Sequence, residues 1–323
     1  MALFARWFPK GAPPGADPAP AQKVAPTTRP GLDSKVATLT PQELEIASFC
    51  WWMGTTVRKD TPYGREDERL VQSIDAQLPR IAGDAELLPR TSTIVPELLA
   101  CLRDDGGTLA ILAERVQRDQ DLVVEVMRMA GGAAYRNAGP VRDMDQAIAR
   151  LGTDGLRRAI ARVMLRPLFE SRPDTLFGRA AERLWIASET KADACARLAP
   201  QRGVDAFEAF LAGLLHNLGW TAVLRLIDRM TSPNLPIFGV EFLQELAVRR
   251  DLCFAQLLRA WKLTPGLDEL ARDLLRTRGL ANARTSLGRV LFEADVDTAR
   301  ERVAESRAAK GGSSQDPSAP GRG

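Results

Sequence analysis

Helix-start signals recur along this chain, and they constrain its fold more than any other feature. Three segments have the pattern of an N-terminal capping box: TPQE at residues 40–43, DMDQ at 143–146 and DAFE at 205–208. Gly152 and Gly219 are placed where glycine commonly ends a helix. No segment shows the sustained alternation of apolar and polar residues that a half-buried strand requires. The sequence therefore predicts an all-α protein.

Composition divides the chain into a central region and two tails. The first forty residues hold seven of the 21 prolines, and residues 311–323 are rich in glycine and serine. Such segments bury too little apolar surface to offset the entropy lost on ordering. We predict a disordered N-terminal segment at 1–39, a helix and connector at 40–79, the main domain at 80–295, and a helix end with a flexible tail at 296–323.

Charge, cysteine spacing and hydropathy argue against several functional classes. A net charge of +3, from 44 basic and 41 acidic residues, gives little electrostatic reason to bind nucleic acid. The apolar runs are shorter than the ~20 residues that cross a bilayer, and the first residues lack a convincing secretion signal. We therefore expect a cytoplasmic protein without a transmembrane segment. The four cysteines lie too far apart to suggest metal-ligand pairs and are expected to be buried thiols: Cys50, Cys101, Cys195 and Cys253.

Several short stretches, in order, resemble the HDOD domain, a relative of the metal-dependent HD phosphohydrolases. The alanine-rich helix ending in Leu-Gly at 147–152 carries the strongest likeness, and 210–219 resembles the degenerate HD half of the domain. The resemblance spans residues 80–295 and implies several helices in two packed lobes. It also rests on these positions: Leu88, Pro89, Ile94, Pro96, 109–116, Asp119, Leu122, 126–130, Val141, Leu156, Arg157, Leu184 and Trp185.

The chain departs from the family pattern where an enzyme would hold its metal. Ala187 stands where many relatives have a histidine, and Asn217 replaces the aspartate that follows the second histidine, here His216. Gly131 and Gly132 stand where relatives usually carry Asn-Ser. An HD-type hydrolase needs several imidazoles and carboxylates around its cations, but this chain contains one histidine. We therefore expect no catalytic residues, metal or cofactor, and call His216 and Asn217 the relic motif.

The resemblance implies a bacterial-type, non-catalytic regulatory module of signal transduction that contacts signalling proteins. Two alternatives remain open: a metal-dependent phosphohydrolase or cyclic-nucleotide phosphodiesterase with a cryptic site, and a receptor for small nucleotides. His216 is expected to be a polar core residue that hydrogen-bonds a neighbouring helix, and Trp185 is expected to lie in the core.

Two further features are candidate contact sites for partners. Arg158, Arg162 and Arg166 recur every four residues and would form one basic stripe on a helix, suited to an acidic partner. The adjacent Trp51 and Trp52 point in different directions on a helix, so one of them could be exposed, although packing against the main domain is favoured. Residues 1–8 are apolar with few charges and would make only a weak anchor.

Overall fold

Helices dominate the part of the chain that the structure describes. The computed structural model describes residues 34–58, 60–88, 91, 94–96, 109–132, 139–231 and 237–312. Its main helices are α1 (Ser34–Ala37), α2 (Pro41–Met53), α3 (Arg65–Gln77), α4 (Leu109–Gln117), α5 (Gln120–Ala130), α6 (Met144–Leu165), α7 (Leu176–Leu198), α8 (Ala206–His216), α9 (Leu218–Thr231), α10 (Val240–Trp261), α11 (Pro265–Thr277) and α12 (Ser286–Gly312). Within these ranges, β pairing is limited to an isolated bridge between Arg58 and Gly239. The predicted all-α class is confirmed.

The three predicted helix starts are all present. In each one, a short polar side chain accepts a hydrogen bond from the backbone N–H three residues later. The pairs are Thr40 with Glu43, Asp143 with Gln146, and Asp205 with Glu208. The local sequence therefore determines where α2, α6 and α8 begin.

Of the two glycines predicted to end helices, only Gly152 does so. Gly152 has a φ of 63° and a ψ of −170°, which divides α6 into two helical segments. Gly219, by contrast, lies inside α9, because α8 already ends at His216. A Cβ at Gly219 would lie 2.1 Å from the carbonyl oxygen of Arg250. Glycine is needed there for close helix packing, so the prediction of a helix end was wrong.

Buried apolar side chains form two main clusters, which confirms the predicted pair of packed lobes. The smaller lobe is built from α4, α5 and parts of α6, and its core includes Val116, Val126, Leu151 and Ile160. The core of the larger lobe comes from α2 and α3, from the C-terminal end of α6, and from helices α7 to α12. Trp185 lies in this larger core at 3% exposure, as expected.

Part of the segment that the sequence predicted to be disordered is helical. Residues 34–37 form α1, and Val36 is fully buried in a third, small cluster with Leu44, Ala299 and Val303. The interpretation of residues 1–39 as disordered is therefore wrong for 34–39, because an apolar contact with α12 holds this segment. Residues 1–33, Cys101 and residues 313–323 lie outside the described part of the chain.

Helices α8 and α9 supply the most apolar part of the core. Residues Ala206–Thr231 are long and apolar enough to span a membrane by length and composition, which the sequence reasoning had not recognised. In the structure, 94% of this window is buried inside the fold. Burial between α7 and α10 accounts for its composition, since a fully packed helix is apolar on all sides.

The predicted basic stripe is not one exposed face. Arg162 is only 5% exposed, because the second half of α6 packs against α7 and α8. Its guanidinium lies 2.7 Å from a carboxylate oxygen of Asp193 and within 3.6 Å of those of Glu125 and Glu189. Since Glu125 belongs to α5 and the other two carboxylates to α7, Arg162 joins the smaller lobe to the larger one.

The other two arginines of the stripe occupy different surroundings. The guanidinium of Arg158 lies 5.6 Å from the ring centre of Phe210, over the same ring as that of Arg162. Arg166 is about half exposed, pairs with Glu182 at 3.2 Å and lies over the ring of Trp185. Of the three, Arg166 retains an open surface for a partner.

The two lobes should separate more easily without the charge of Arg162. Replacing Arg162 with Met leaves the partly buried Glu125 and Glu189 with only the half-exposed Arg128 as a cation, so we expect a loss of about 2 kcal/mol in unfolding free energy. Arg166→Met removes an exposed pair on the same helix and should cost under about 1 kcal/mol. Urea unfolding of both variants measures this difference, and equal losses would contradict the role of Arg162 as a joint between lobes.

Candidate functional site

The relic motif lies at the junction of two core helices. His216 is the last residue of α8 and Asn217 precedes α9, and both side chains are fully buried. The apolar sequence on both sides places the junction in the centre of the larger lobe. Two polar side chains in such a place require hydrogen-bond partners, because each unsatisfied group costs about 1 to 3 kcal/mol.

Lys191 of α7 supplies one of these partners. Its side chain is buried, and its Nζ lies 2.8 Å from Nδ1 of His216 and 2.9 Å from Oδ1 of Asn217. The third contact is an ion pair of 2.6 Å with Oδ1 of Asp295. These three contacts match the three donors of an ammonium group. Burial lowers the pKa of Lys191, while the charge of Asp295 opposes that shift.

The contact with Lys191 determines the protonation state of the histidine. An ammonium group can only donate, so Nδ1 of His216 accepts and the ring proton resides on Nε2. Nε2 donates in turn to Oδ1 of Asp251, 3.1 Å away on α10. Burial and the positive charges of Lys191 and Arg250 lower the pKa of His216 to about 4. The imidazole is therefore neutral at pH 7, and it bonds two neighbouring helices as the sequence reasoning expected.

A second cation, Arg250, holds the remaining carboxylates. Its Nε lies 2.8 Å from Oδ1 of Asp251, and its Nη1 lies 3.1 Å from Glu45 and 3.7 Å from Asp295. Burial alone would lower the pKa of Arg250, but Asp251, Glu45 and Asp295 raise it. Trp220 also donates to Glu45 through its indole N–H, at 3.1 Å.

We call this network the buried charged centre. Its members contact one another, and all are buried except Glu45 and Asp295, whose side chains are 17% and 20% exposed. They come from five helices and one junction: Glu45, Lys191, His216, Asn217, Arg250, Asp251 and Asp295. Burial raises the pKa of Glu45. Burial would also raise the pKa of Asp295, but the positive charges of Lys191 and Arg250 lower it overall. Lys191 and Arg250 therefore face the carboxylates within the centre and form ion pairs with them.

The sequence reasoning found two members of the centre and missed the other five. Ala187, Lys191 and Cys195 follow one another at four-residue spacing along α7. That spacing puts Lys191 on the buried face, so its burial could have been anticipated. Glu45 and Asp295 carry no comparable signal, because α2 and α12 are distant from α7 along the chain.

The centre does not fit a divalent cation of the kind that HD hydrolases hold. Both ring nitrogens of His216 already have partners, Asn217 offers a neutral oxygen, and the ammonium of Lys191 lies between them. Ala187, at the position of the missing histidine, is fully buried and has no ligand atom. In the described ranges, no three His, Cys, Asp or Glu side chains are grouped as a metal site would require. Chemically, the arrangement is a set of mutually paired cations and carboxylates.

Comparison with solved structures supports the fold. A structure described as a candidate metal-dependent phosphohydrolase from Shewanella amazonensis SB2B superposes with a TM-score of 0.54 at 18% identity, covering 77% of this chain and 91% of that one. An HDOD domain protein of unknown function from Geobacter sulfurreducens gives 0.52 at 20% identity, covering 73% and 80%. No curated protein matches the sequence.

The family model for the HDOD domain provides the assignment. It matches residues 88–271, which include Lys191, the relic motif, Arg250 and Asp251. Glu45 and Asp295 lie outside the matched range, on the flanking helices α2 and α12. With the helical fold, the two lobes and a match over more than half of its length, this chain belongs to the HDOD domain family.

Proposed function

We propose that this protein is a non-catalytic regulatory module of signal transduction that acts through contacts with other proteins. The observation that carries the proposal is the state of the relic motif. His216 and Asn217 are both bonded to Lys191, so their ligand atoms already have a cation as partner. A hydrolase of this family would instead use these positions to hold a metal that activates water.

The burial of the centre supports the same proposal. Water activation requires an open coordination position that both solvent and substrate can reach. His216 and Asn217 are fully buried, and Lys191 is 1% exposed. Glu45 and Asp295 come from helices α2 and α12, which cover the centre from either end of the chain. Such a centre stabilises a scaffold, and the outer faces of its helices remain for partners.

A metal and turnover assay tests the proposal against the hydrolase alternative. Wild type, Asn217→Asp and His216→Ala should all lack stoichiometric Mn²⁺ or Mg²⁺ and should not hydrolyse a generic phosphodiester. One restored carboxylate cannot supply a site that still has Ala187 and an ammonium in it. His216→Ala should act on stability alone and cost about 1 to 3 kcal/mol, since Lys191 and Asp251 each lose one of their hydrogen-bond partners inside the core.

One result would refute the non-catalytic proposal. It is wild-type turnover that a chelator removes and added metal restores, together with a His216→Ala variant that is inactive yet as stable as wild type. Thermal melts of all three proteins under the assay conditions provide the control.

The single imidazole gives a direct test of the buried charged centre. The chain contains one histidine, so the protein without a histidine tag should show one imidazole resonance in NMR spectra. We expect this resonance to titrate near pH 4, whereas an unperturbed imidazole titrates near pH 6.5. Lys191→Met removes the nearest positive charge and should raise the pKa. An unperturbed titration in the folded wild type would contradict the proposed contact between Lys191 and Nδ1.

The same shift predicts how stability depends on pH. The unfolded chain binds a proton at His216 below about pH 6.5, whereas the folded chain does so only near pH 4. The contribution of His216 to the free energy of unfolding is therefore complete above about pH 6.5. Between about pH 6.5 and pH 4, the free energy of unfolding falls by up to ~1.4 kcal/mol for each unit by which the pH is lowered. Glu45, with its raised pKa, acts in the opposite direction, and Glu45→Gln removes that effect for comparison.

A further inference from the structure

A cavity lies directly beside the buried charged centre. It is enclosed by α2, α10, the turn at 278–282 and α12, and its volume is about 270 Å³. Lys191, Arg250 and the three carboxylates of the centre form its charged side. Its other walls are mainly apolar and include Leu44, Leu243, Val248, Leu280, Phe292 and Val296. A concave space with mainly apolar walls and a few polar groups is typical of a site for a small molecule.

The cations around this cavity are not all compensated. Lys191 and Arg250 are paired with the carboxylates of the centre. Arg302 of α12 also lines the cavity, but in the described part of the chain no carboxylate oxygen lies within 4 Å of its guanidinium. Its contacts are a hydrogen bond of 3.3 Å to Oγ of Ser48 and the ring of Trp51, 5.3 Å away. Burial lowers the pKa of Arg302, while the more distant carboxylates of Asp295 and Glu45 oppose that shift, so this charge is partly dehydrated and lacks a directly bonded anion.

A strained arginine lies at the rim of the same cavity. Arg278 follows the last residue of α11 with a φ of 56°, a left-handed conformation that is unfavourable for a residue with a Cβ. Gly279 follows it, and the N–H of Leu280 donates to Asp251 at 2.7 Å, which ties this turn to the charged centre. Within the described residues the guanidinium of Arg278 forms no ion pair. Backbone strain of this kind is often retained at ligand-binding sites.

We propose that this cavity binds a small organic anion. The carboxylate or phosphate group of the ligand would bind Arg302, and its apolar part would pack against the walls of the cavity. Arg278 would attract the ligand at the rim. The planar guanidinium matches either oxyanion with two parallel hydrogen bonds. Binding would give Arg302 the negative partner that it lacks. The uncharged part of the ligand would displace water from apolar side chains, which favours binding further.

The position of the cavity suggests what such a ligand would do. Its walls on α2, on α12 and at 278–282 lie outside the range 88–271 that matches the family model. A ligand there would contact α2 and α12 together and would hold both flanking helices against the core. This inference rests on the proposed regulatory function, because it makes the occupancy of the cavity an input to the module.

Three probes of similar shape test the ligand chemistry on the full chain. Phenylacetate carries a carboxylate, phenyl phosphate carries a phosphate, and phenylacetamide is uncharged. Calorimetric titration at millimolar concentrations should show binding of at least one anion and much weaker binding of the amide. Preference for phenylacetate would assign the carboxylate class, and preference for phenyl phosphate would assign the phosphate class. Equal binding of all three, or binding of none, would overturn the proposal.

Three variants test the site itself. Arg302→Gln keeps a donor for Ser48 and should weaken anion binding at least about tenfold. Arg278→Gly should also weaken binding, yet it should leave the melting temperature unchanged or higher because the backbone strain is relieved. A purely structural arginine would not give that combination. Arg300→Gln on the same helix α12 changes a residue outside the cavity and should bind normally.

The results separate this inference from the proposed function. Equal anion affinities of Arg302→Gln and Arg300→Gln, with both variants folded, would overturn the site whatever its chemistry. Release of phenol from phenyl phosphate would count against the non-catalytic function alone, because the affinities of the variants for phenylacetate are measured independently of turnover.

Discussion

The ammonium group of Lys191 is the constraint on which the larger lobe depends. It is a buried charge, and it is tolerated because Asp295 neutralises it and because His216 and Asn217 accept its other protons. Removing Asp295 would leave the buried ammonium without its closest anion, which costs several kcal/mol, whereas removing His216 or Asn217 would leave one of its hydrogen bonds unmade. The relic motif thus has a structural reason to keep its polar side chains without a metal.

Compensation of this charge also explains how the flanking helices are held. The carboxylates of Glu45 and Asp295 reach the centre from α2 and α12, on opposite sides of the range that matches the family model. Apolar contacts reinforce both attachments, since Phe49 and Trp52 of α2 pack on Trp220, and Val36 and Leu44 pack on α12. Trp52 is therefore a core residue, and Trp51 is half-buried beneath the guanidinium groups of Arg183 and Arg302. Both tryptophans thus pack within the chain, as the sequence reasoning favoured.

Local signals in the sequence predicted much of the fold, because helix starts depend on side chains a few residues apart. The caps at Thr40, Asp143 and Asp205 are examples. Features that depend on distant partners were missed or misjudged. Arg162 seemed to belong to a solvated stripe, since the carboxylates that bury it lie on α5 and α7. For the site, the family resemblance identified His216 and Asn217. No sequence motif marks a lysine such as Lys191 that bonds to both of these residues, so its role could not be predicted.

The position of Asp295 on the last helix of the chain has a consequence for biosynthesis. Ribosomes release a chain from its N-terminus, so Lys191, His216 and Asn217 emerge well before Asp295. Until α12 has been synthesised, a compact larger lobe would enclose an ammonium without its closest anion. The nascent core is thereby penalised for closing early, and its final closure is coupled to the arrival of the last helix. An incomplete chain ending before α12 would expose this defect to the quality-control machinery of the cell.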